Sequence, residues 1–240
     1  MATAIINGSP RGMPGATGWM LERFVKGMKS AGDTPVVVNL SSKKIHHCTG
    51  ELHCWFKTPG KCIHKDDVDD IVKEIGRCEN WVIATPVYVD GMTGLIKNFI
   101  DRLVPYANPH FKIRGGHTRH KSNNDIKNVA LISACGFPEL DNFDSLIAHI
   151  KAICENMDAK YAGALLRPAA PMLPEMPMIN PLFFKIRAVS KAVEKAGREF
   201  VENKEISEKT ASEVAADIIS QEVYIKETNK WFDKELGKIK

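Results

Sequence analysis

Four short, nearly uninterrupted apolar runs constrain the fold of this chain more than any other feature. They lie at residues 4–7, 36–40, 81–85 and 129–133. Each is too short for a buried helix and lacks the alternation of a half-solvated strand. Each therefore reads as a parallel strand covered on both faces. A fifth run, 161–166, is weakened by Gly163. Amphipathic helical patterns lie between the runs. Over 66–78, Val68, Ile71, Val72 and Ile75 share one face behind Asp66 and Asp67, whose charges suit a helix N-terminus. Leu95, Ile96, Phe99, Ile100 and Leu103 do the same over 93–103, and Phe143, Leu146, Ile147, Ile150, Ile153 and Met157 over 142–157. Strands of this kind alternating with helices predict an α/β protein with a doubly wound parallel sheet.

The pattern changes after residue 166. Residues 167–181 hold five prolines and three methionines, which reads as an irregular connector. No strand pattern follows. Ile186, Val189, Val193, Ala196 and Phe200 recur at three- and four-residue spacing, and Val214, Ile218, Ile225 and Phe232 continue it. The expected organisation is an α/β domain over 1–180 and a helical extension over 181–240. Such a stripe must be buried. A second subunit is the expected cover, with packing over the sheet's outer helices as the alternative.

Bulk properties exclude several classes. A net charge of +4 on 240 residues does not call for nucleic acid. No apolar stretch approaches the roughly 18–20 residues that span a bilayer. The first residues enter a strand without a basic, then apolar, leader. A cytoplasmic protein is expected, without membrane or nucleic-acid partners. Its six cysteines then read as thiols, metal ligands or redox groups rather than a disulfide framework.

Function is expected at the loops. In an open parallel sheet, ligands bind beyond the carboxyl ends of the strands, near the point where strand order reverses. The first strand ends in "NGSPRGMPGATGW", residues 7–19. Gly8, Gly12 and Gly15 let backbone come close to a ligand, Ser9 and Thr17 offer hydroxyls, and a helix N-terminus follows, which favours an anion. No lysine precedes Thr17 and no G-x-G-x-x-G follows the strand, so neither a P-loop nor a dinucleotide fingerprint is present. A phosphate site and an ordinary capped turn both remain open on this loop alone. A second loop, "ATPVYVDGMTGLIKNFIDRL" at 84–103, has Pro86 and Gly91 to shape it, Tyr88 as a flat ring and Thr93 as a helix cap. A third, "SACGFPELDN" at 133–142, offers glycine and Phe137. One phosphate loop and two ring loops describe a mononucleotide site.

Those segments, together with "CTGELHCWFKTPGKCIHKDD" at 48–67, resemble the NADPH-dependent FMN reductase and iron-sulfur flavoprotein family. The resemblance covers roughly residues 1–170 and implies a flavodoxin-like, five-stranded parallel sheet of order 2-1-3-4-5 with a C-terminal helical extension. It implies FMN as cofactor, NAD(P)H as co-substrate and a quinone, flavin or other small molecule as acceptor. A non-enzymatic FMN electron carrier is the alternative. Carried over, Ser9, Arg11 and Thr17 would bind the FMN phosphate. Ala16 stands where many relatives have Asn. Pro86, Val87, Tyr88, Asp90, Gly91 and Met92 would border the isoalloxazine ring, with Asp90-Gly91 as a peptide free to reorient. Ala134, Cys135 and Gly136 would approach its other edge. No catalytic side chain is required, because the chemistry is the flavin's. The resemblance also implies a homodimer or homotetramer.

Two segments stand apart. The iron-sulfur relatives carry C-x2-C-x2-C with a fourth cysteine downstream. Here Cys48, Cys54 and Cys62 remain, and Glu51 occupies the second place. A carboxylate is a poor substitute for thiolate on a soft cluster. The expectation is a cluster loop without a cluster, with Cys48, Cys54 and Cys62 as a zinc set the weaker alternative. Between Asp101 and Asp125 there is no acid, while Arg102, Lys112, Arg114, Arg119 and Lys121 accumulate around Gly115-Gly116. This stretch is expected to be an irregular lid over the flavin, or a solvated basic loop.

Overall fold

The apolar runs become the centre of a parallel sheet in a computed structural model that describes residues 2–121, 125–173 and 182–239. Along the chain the strands are β1 (Ala2–Asn7), β2 (Val36–Asn39), β3 (Cys78–Pro86), β4 (Phe111–Arg114), β5 (His117–His120), β6 (Asn128–Ala134) and β7 (Lys160–Arg167). The helices are α1 (Ala16–Ser30), α2 (His53–Phe56), α3 (Val68–Ile75), α4 (Gly94–Asp101), α5 (Asp144–Met157), α6 (Leu182–Asn203), α7 (Glu208–Ala215) and α8 (Gln221–Leu236). Five strands pair in the order β2-β1-β3-β6-β7, all parallel. Counting those five alone, the order is the expected 2-1-3-4-5.

Continuity of the apolar runs follows from burial on both sides. Ile5, Val82, Ala84, Ala130 and Ile132 face a core closed by α1, α6 and α7. Ile6, Ile83, Val129 and Leu131 face the opposite core, closed by α3, α4 and α5. The order reverses at β1, whose two neighbours are β2 and β3, so the loops after β1 and β3 open side by side at the carboxyl edge.

The stripe expected to meet a second subunit does not do so. Ile186, Val189, Val193, Ala196 and Phe200 are buried within the chain, against α1 and the sheet. Two glycines explain the fit. A Cβ on Gly27 of α1 would lie 1.8 Å from the Glu194 carbonyl, and one on Gly197 of α6 would lie 2.1 Å from that of Phe24. The helices cross with backbone against backbone. Val214 and Ile218 join the same core, which therefore continues past residue 180. Of the three C-terminal helices, α8 stays outside it, with Tyr224 its single buried residue and Ile225, Phe232 and Leu236 exposed.

The basic stretch is not an irregular lid. It forms the antiparallel hairpin β4–β5, turning at Gly115 and Gly116 with φ of 56° and 78°. Lys112 and Arg114 pair with Asp158, the C-cap of α5, two residues before β7 begins. The hairpin thus sits at the amino edge of the sheet, opposite the loops where a ligand is expected. Residues 122–124 of that stretch, and 174–181 of the proline-rich connector, lie outside the described residues. Among the described residues no helix is long and apolar enough to cross a membrane.

Candidate functional site

Asn7, the last residue of β1, builds the first loop. It is fully buried, and a buried amide must find partners. Its Nδ2 donates to Asn39 Oδ1 at 2.8 Å and to the Gly12 carbonyl at 3.2 Å, while its Oδ1 accepts from the Ser9 amide at 3.0 Å. A Gly12 to Ser9 backbone bond of 2.8 Å closes the turn. Gly15 then stands at the helix N-cap with φ of 102°, a conformation few residues other than glycine adopt. The helix opens at Ala16, so the first-turn amides have no intrahelical partner, and no acidic side chain lies in that turn. Arg11 folds over Gly15, with its guanidinium carbon 2.9 Å from where a Cβ there would lie. Ser9 and Thr17 are both buried. This is an anion cradle in donors and in charge.

The second loop is bolted to the first. Thr93 takes the N-cap place of α4, as expected, but its hydroxyl makes no capping bond. It donates instead to the Gly8 carbonyl at 2.7 Å. The Thr93 amide donates to Thr85 Oγ1 at 3.1 Å, and Ser133 Oγ donates to the Thr85 carbonyl at 2.8 Å. A floor of small polar side chains therefore ties the ends of β1, β3 and β6 together.

Above that floor lies a cavity of about 940 Å³. It is lined by Ser9, Arg11 and Thr17 at one end, and by Pro86, Val87, Tyr88, Ala134, Cys135 and Gly136 at the other. The remaining expected residues, Asp90, Gly91 and Met92, do not line it. Met92 is buried in the core beside α4. Asp90 and Gly91 belong to a tight turn in which Tyr88 and Gly91 exchange backbone bonds of 3.0 and 3.2 Å. Positive φ in this turn falls on Val89, at 48°, and Asp90, at 58°. A β-branched residue in the left-handed region is strained by about 1–3 kcal/mol. Val89 is fully exposed and has no packing to lose. Val89→Asn, which tolerates this region, is expected to raise stability by about 1 kcal/mol in chemical denaturation; a lower midpoint would contradict the assignment of strain.

Cys135 lies at the cavity floor. Burial pushes its thiol pKa up, and its sulfur accepts from the Phe137 amide at 3.4 Å. It is a neutral wall residue rather than a thiolate nucleophile. Wall residues that sequence reasoning missed include Met13, Trp19, Glu22, Leu173 and Trp231. Trp19 stood next to the recognised loop, on the first turn of its helix. Trp231 carried no local signal.

The cysteine segment forms no comparable site. Cys48 is exposed, Cys54 buried and Cys62 half-buried. With Glu51, His64 and Arg102 they line a space of about 10 Å³, room for roughly one water. The Glu51 carboxylate accepts the Thr49 hydroxyl, which holds its pKa below the usual range. Among the described residues no three His, Cys, Asp or Glu side chains converge as metal ligands. These residues do not fit a four-thiolate cluster.

A five-stranded 2-1-3-4-5 sheet with an anion cradle after its first strand defines the flavodoxin-like class. The chain covers 83% of its length on an FMN-dependent NADH-azoreductase from Bacillus anthracis solved in complex with FMN, with a TM-score of 0.62, 16% identity and 99% of that chain matched. An NAD(P)H:quinone oxidoreductase from Methanothermobacter marburgensis gives a TM-score of 0.58 at 18% identity, over 83% of this chain and 96% of that one. The chain belongs to the NADPH-dependent FMN reductase family, whose model matches residues 1–136. An iron-sulfur flavoprotein of Archaeoglobus fulgidus is 37% identical over 102 residues, 42% of this chain and 45% of that protein. One from Clostridioides difficile is 32% identical over 105 residues, again 42% and 45%. The chain spans about half the length of the curated relatives it matches.

Proposed function

We propose that the chain is an FMN-dependent oxidoreductase that accepts electrons from NAD(P)H and passes them to a quinone, a flavin or another small acceptor. The observation that carries this reading is the single cavity with an anion cradle at one end and flat, mostly apolar walls at the other. The first-turn amides of α1, the Ser9 and Thr17 hydroxyls and Arg11 hold the phosphate. Pro86, Val87 and Tyr88 flank one edge of the ring, and Ala134, Cys135 and Gly136 the other. Asp90, Gly91 and Met92 act from behind, Met92 as core and the other two as the turn that sets Tyr88. Bound there, FMN would supply the hydride and electron-transfer chemistry. The protein's own part is to hold and orient the ring and limit access of water to it. Titrating purified protein with FMN and then following NAD(P)H oxidation with menadione tests the reading. Bound FMN with sustained turnover supports it, and absence of FMN uptake overturns it.

A second reading, an electron carrier that docks with redox proteins, draws on the apolar rim of the site. Val89, Phe137 and Leu140 are exposed, and Tyr88 is 49% exposed. Bound FMN without turnover on small acceptors would favour the carrier.

With Glu51 in the place of a ligand cysteine, the cysteine segment is read as holding no four-iron cluster. Anaerobically purified protein is expected to contain no acid-labile sulfide and no broad ~400 nm absorption beyond that of flavin. Stoichiometric sulfide would overturn this. All six cysteines are free, which suits a reducing cytoplasm. A dimer or tetramer is now carried by α8, whose Ile225, Phe232 and Leu236 are left exposed. Light scattering is expected to give a multiple of the 26.7 kDa chain and a smaller species for Phe232→Glu. A monomeric wild type would refute it.

A further inference from the structure

Helix α8 has a use that a mere extension would not explain. Its Tyr224 hydroxyl donates to the Gly136 carbonyl, and Gln221 bonds Glu139, so its first turn is fastened to the ring-side loop. Its approach is fixed too. Arg167, buried at the end of β7, donates to the Val214 and Ala216 carbonyls at 2.8 Å each, holding the end of α7 from which the chain runs to α8. Trp231 follows Tyr224 by seven residues, which is two turns, and so shares its face. It stands about 10 Å further along the axis. That carries α8 to the cavity, which Trp231 lines. Phe232 backs the indole, with ring centroids 5.0 Å apart. Trp19 lines the same cavity from α1, with the Arg23 guanidinium 3.7 Å from its ring centre.

The space is generous. At about 940 Å³ the cavity lies near the top of the roughly 300–1,000 Å³ range of small-molecule sites. Trp231 is itself 56% exposed, so an apolar, flat surface faces a space not yet accounted for. Such a surface attracts another ring by burial and by stacking.

We propose that Trp231 walls a second subsite in this cavity, which takes a planar aromatic or quinonoid electron acceptor between the indole and the ring-binding end. The inference rests on the FMN reading above and extends it to the acceptor class. Trp231 is a specificity-determining residue: the indole holds the acceptor's ring and does not itself exchange electrons.

The test is a binding measurement on FMN-loaded, oxidised protein with no reductant present. Titration with menadione is expected to give a Kd about tenfold weaker in Trp231→Ala than in wild type, the scale of one lost aromatic contact, with recovery in Trp231→Phe. In turnover, the ratio of kcat/KM for menadione to that for ferricyanide, which has no ring to stack, is expected to fall about tenfold in Trp231→Ala. An unchanged menadione Kd, or a Trp231→Phe variant as weak as Trp231→Ala, overturns the subsite. So does a change confined to the KM for NAD(P)H, which would assign Trp231 to the donor. Wild-type protein that takes up no FMN overturns the proposed function itself. FMN uptake with no Trp231 effect overturns this inference alone.

Discussion

Thr17→Asp is expected to lower FMN affinity about a thousandfold while leaving the fold intact. Thr17 lies in the first turn of α1, is 3% exposed and lines the cavity at its cradle end. A carboxylate there would face the phosphate at contact distance. Two unit charges about 4 Å apart repel by roughly 4 kcal/mol at an effective dielectric of 20. That is about three decades in Kd. Thr17→Val removes only one hydroxyl donor and is expected to cost about tenfold. In the apoprotein the free first-turn amides of α1 offset part of the cost of a carboxylate at this buried position, and the turn has no acidic residue of its own. Circular dichroism of Thr17→Asp apoprotein should therefore show the native fold while FMN binding is lost. Ser9→Asp is expected to behave alike in binding, from the other side of the cradle. Retention of micromolar FMN affinity by Thr17→Asp would place the phosphate elsewhere.

The sheet was legible in the sequence because a strand buried on both faces has no alternative pattern. The form of the first loop was legible because glycine, hydroxyl and helix start fall within a dozen residues. What escaped has specific physical causes. The stripe of Ile186, Val189, Val193, Ala196 and Phe200 announced burial, but burial by a subunit and burial by α1 leave the same trace. The pair that decides, Gly27 and Gly197, lies 170 residues apart and meets only in three dimensions. The hairpin does carry a local signal, since Gly115-Gly116 between Ile113 and Thr118 is a two-residue turn, but its flanking strands are charged rather than apolar. At the tip of the second loop the turn places Val89 and Asp90 in the left-handed region, which no glycine there announces. Asn7 gave no motif at all. Its role comes from being the only side chain at the end of β1 that reaches Asn39, Ser9 and Gly12 together. Trp231 reaches the site through a helix whose course is set by Tyr224 and Arg167, and no spacing within 221–236 encodes that.

Asp66→Asn is expected to be the most destabilising single polar substitution outside the cavity. The Asp66 and Arg102 side chains are each 1% exposed. The guanidinium donates to both carboxylate oxygens, at 2.6 and 3.2 Å, and also to the His46 carbonyl at 2.7 Å. The carboxylate further accepts the amides of His46 at 2.8 Å and Val68 at 3.2 Å. One ion pair thus fastens the long connection after β2, the start of α3 and the end of α4. Removing the carboxylate leaves the Arg102 charge buried without its counter-ion, which costs about 3–5 kcal/mol. Against a total of roughly 5–15 kcal/mol this is a large share, and the melting temperature should fall by roughly 10 °C. Burial by itself would raise the Asp66 carboxyl pKa, but Arg102 and the two amides outweigh it and hold that pKa well below the carboxylate range. The sign of the pH dependence follows. A carboxyl whose folded pKa is depressed contributes fully above its unfolded value of about 4, and the contribution is lost as pH falls through the folded value. Wild type should lose part of its stability advantage over Asp66→Asn as pH drops below about 4, and the two curves should run parallel above about pH 5. Replacing both partners, Asp66→Asn with Arg102→Met, should recover part of the loss, because no lone charge remains. FMN affinity should change little in any of these variants, since neither residue lines the cavity. A penalty below about 1 kcal/mol for Asp66→Asn would mean that water reaches the pair and that the connection after β2 is held by its apolar contacts alone.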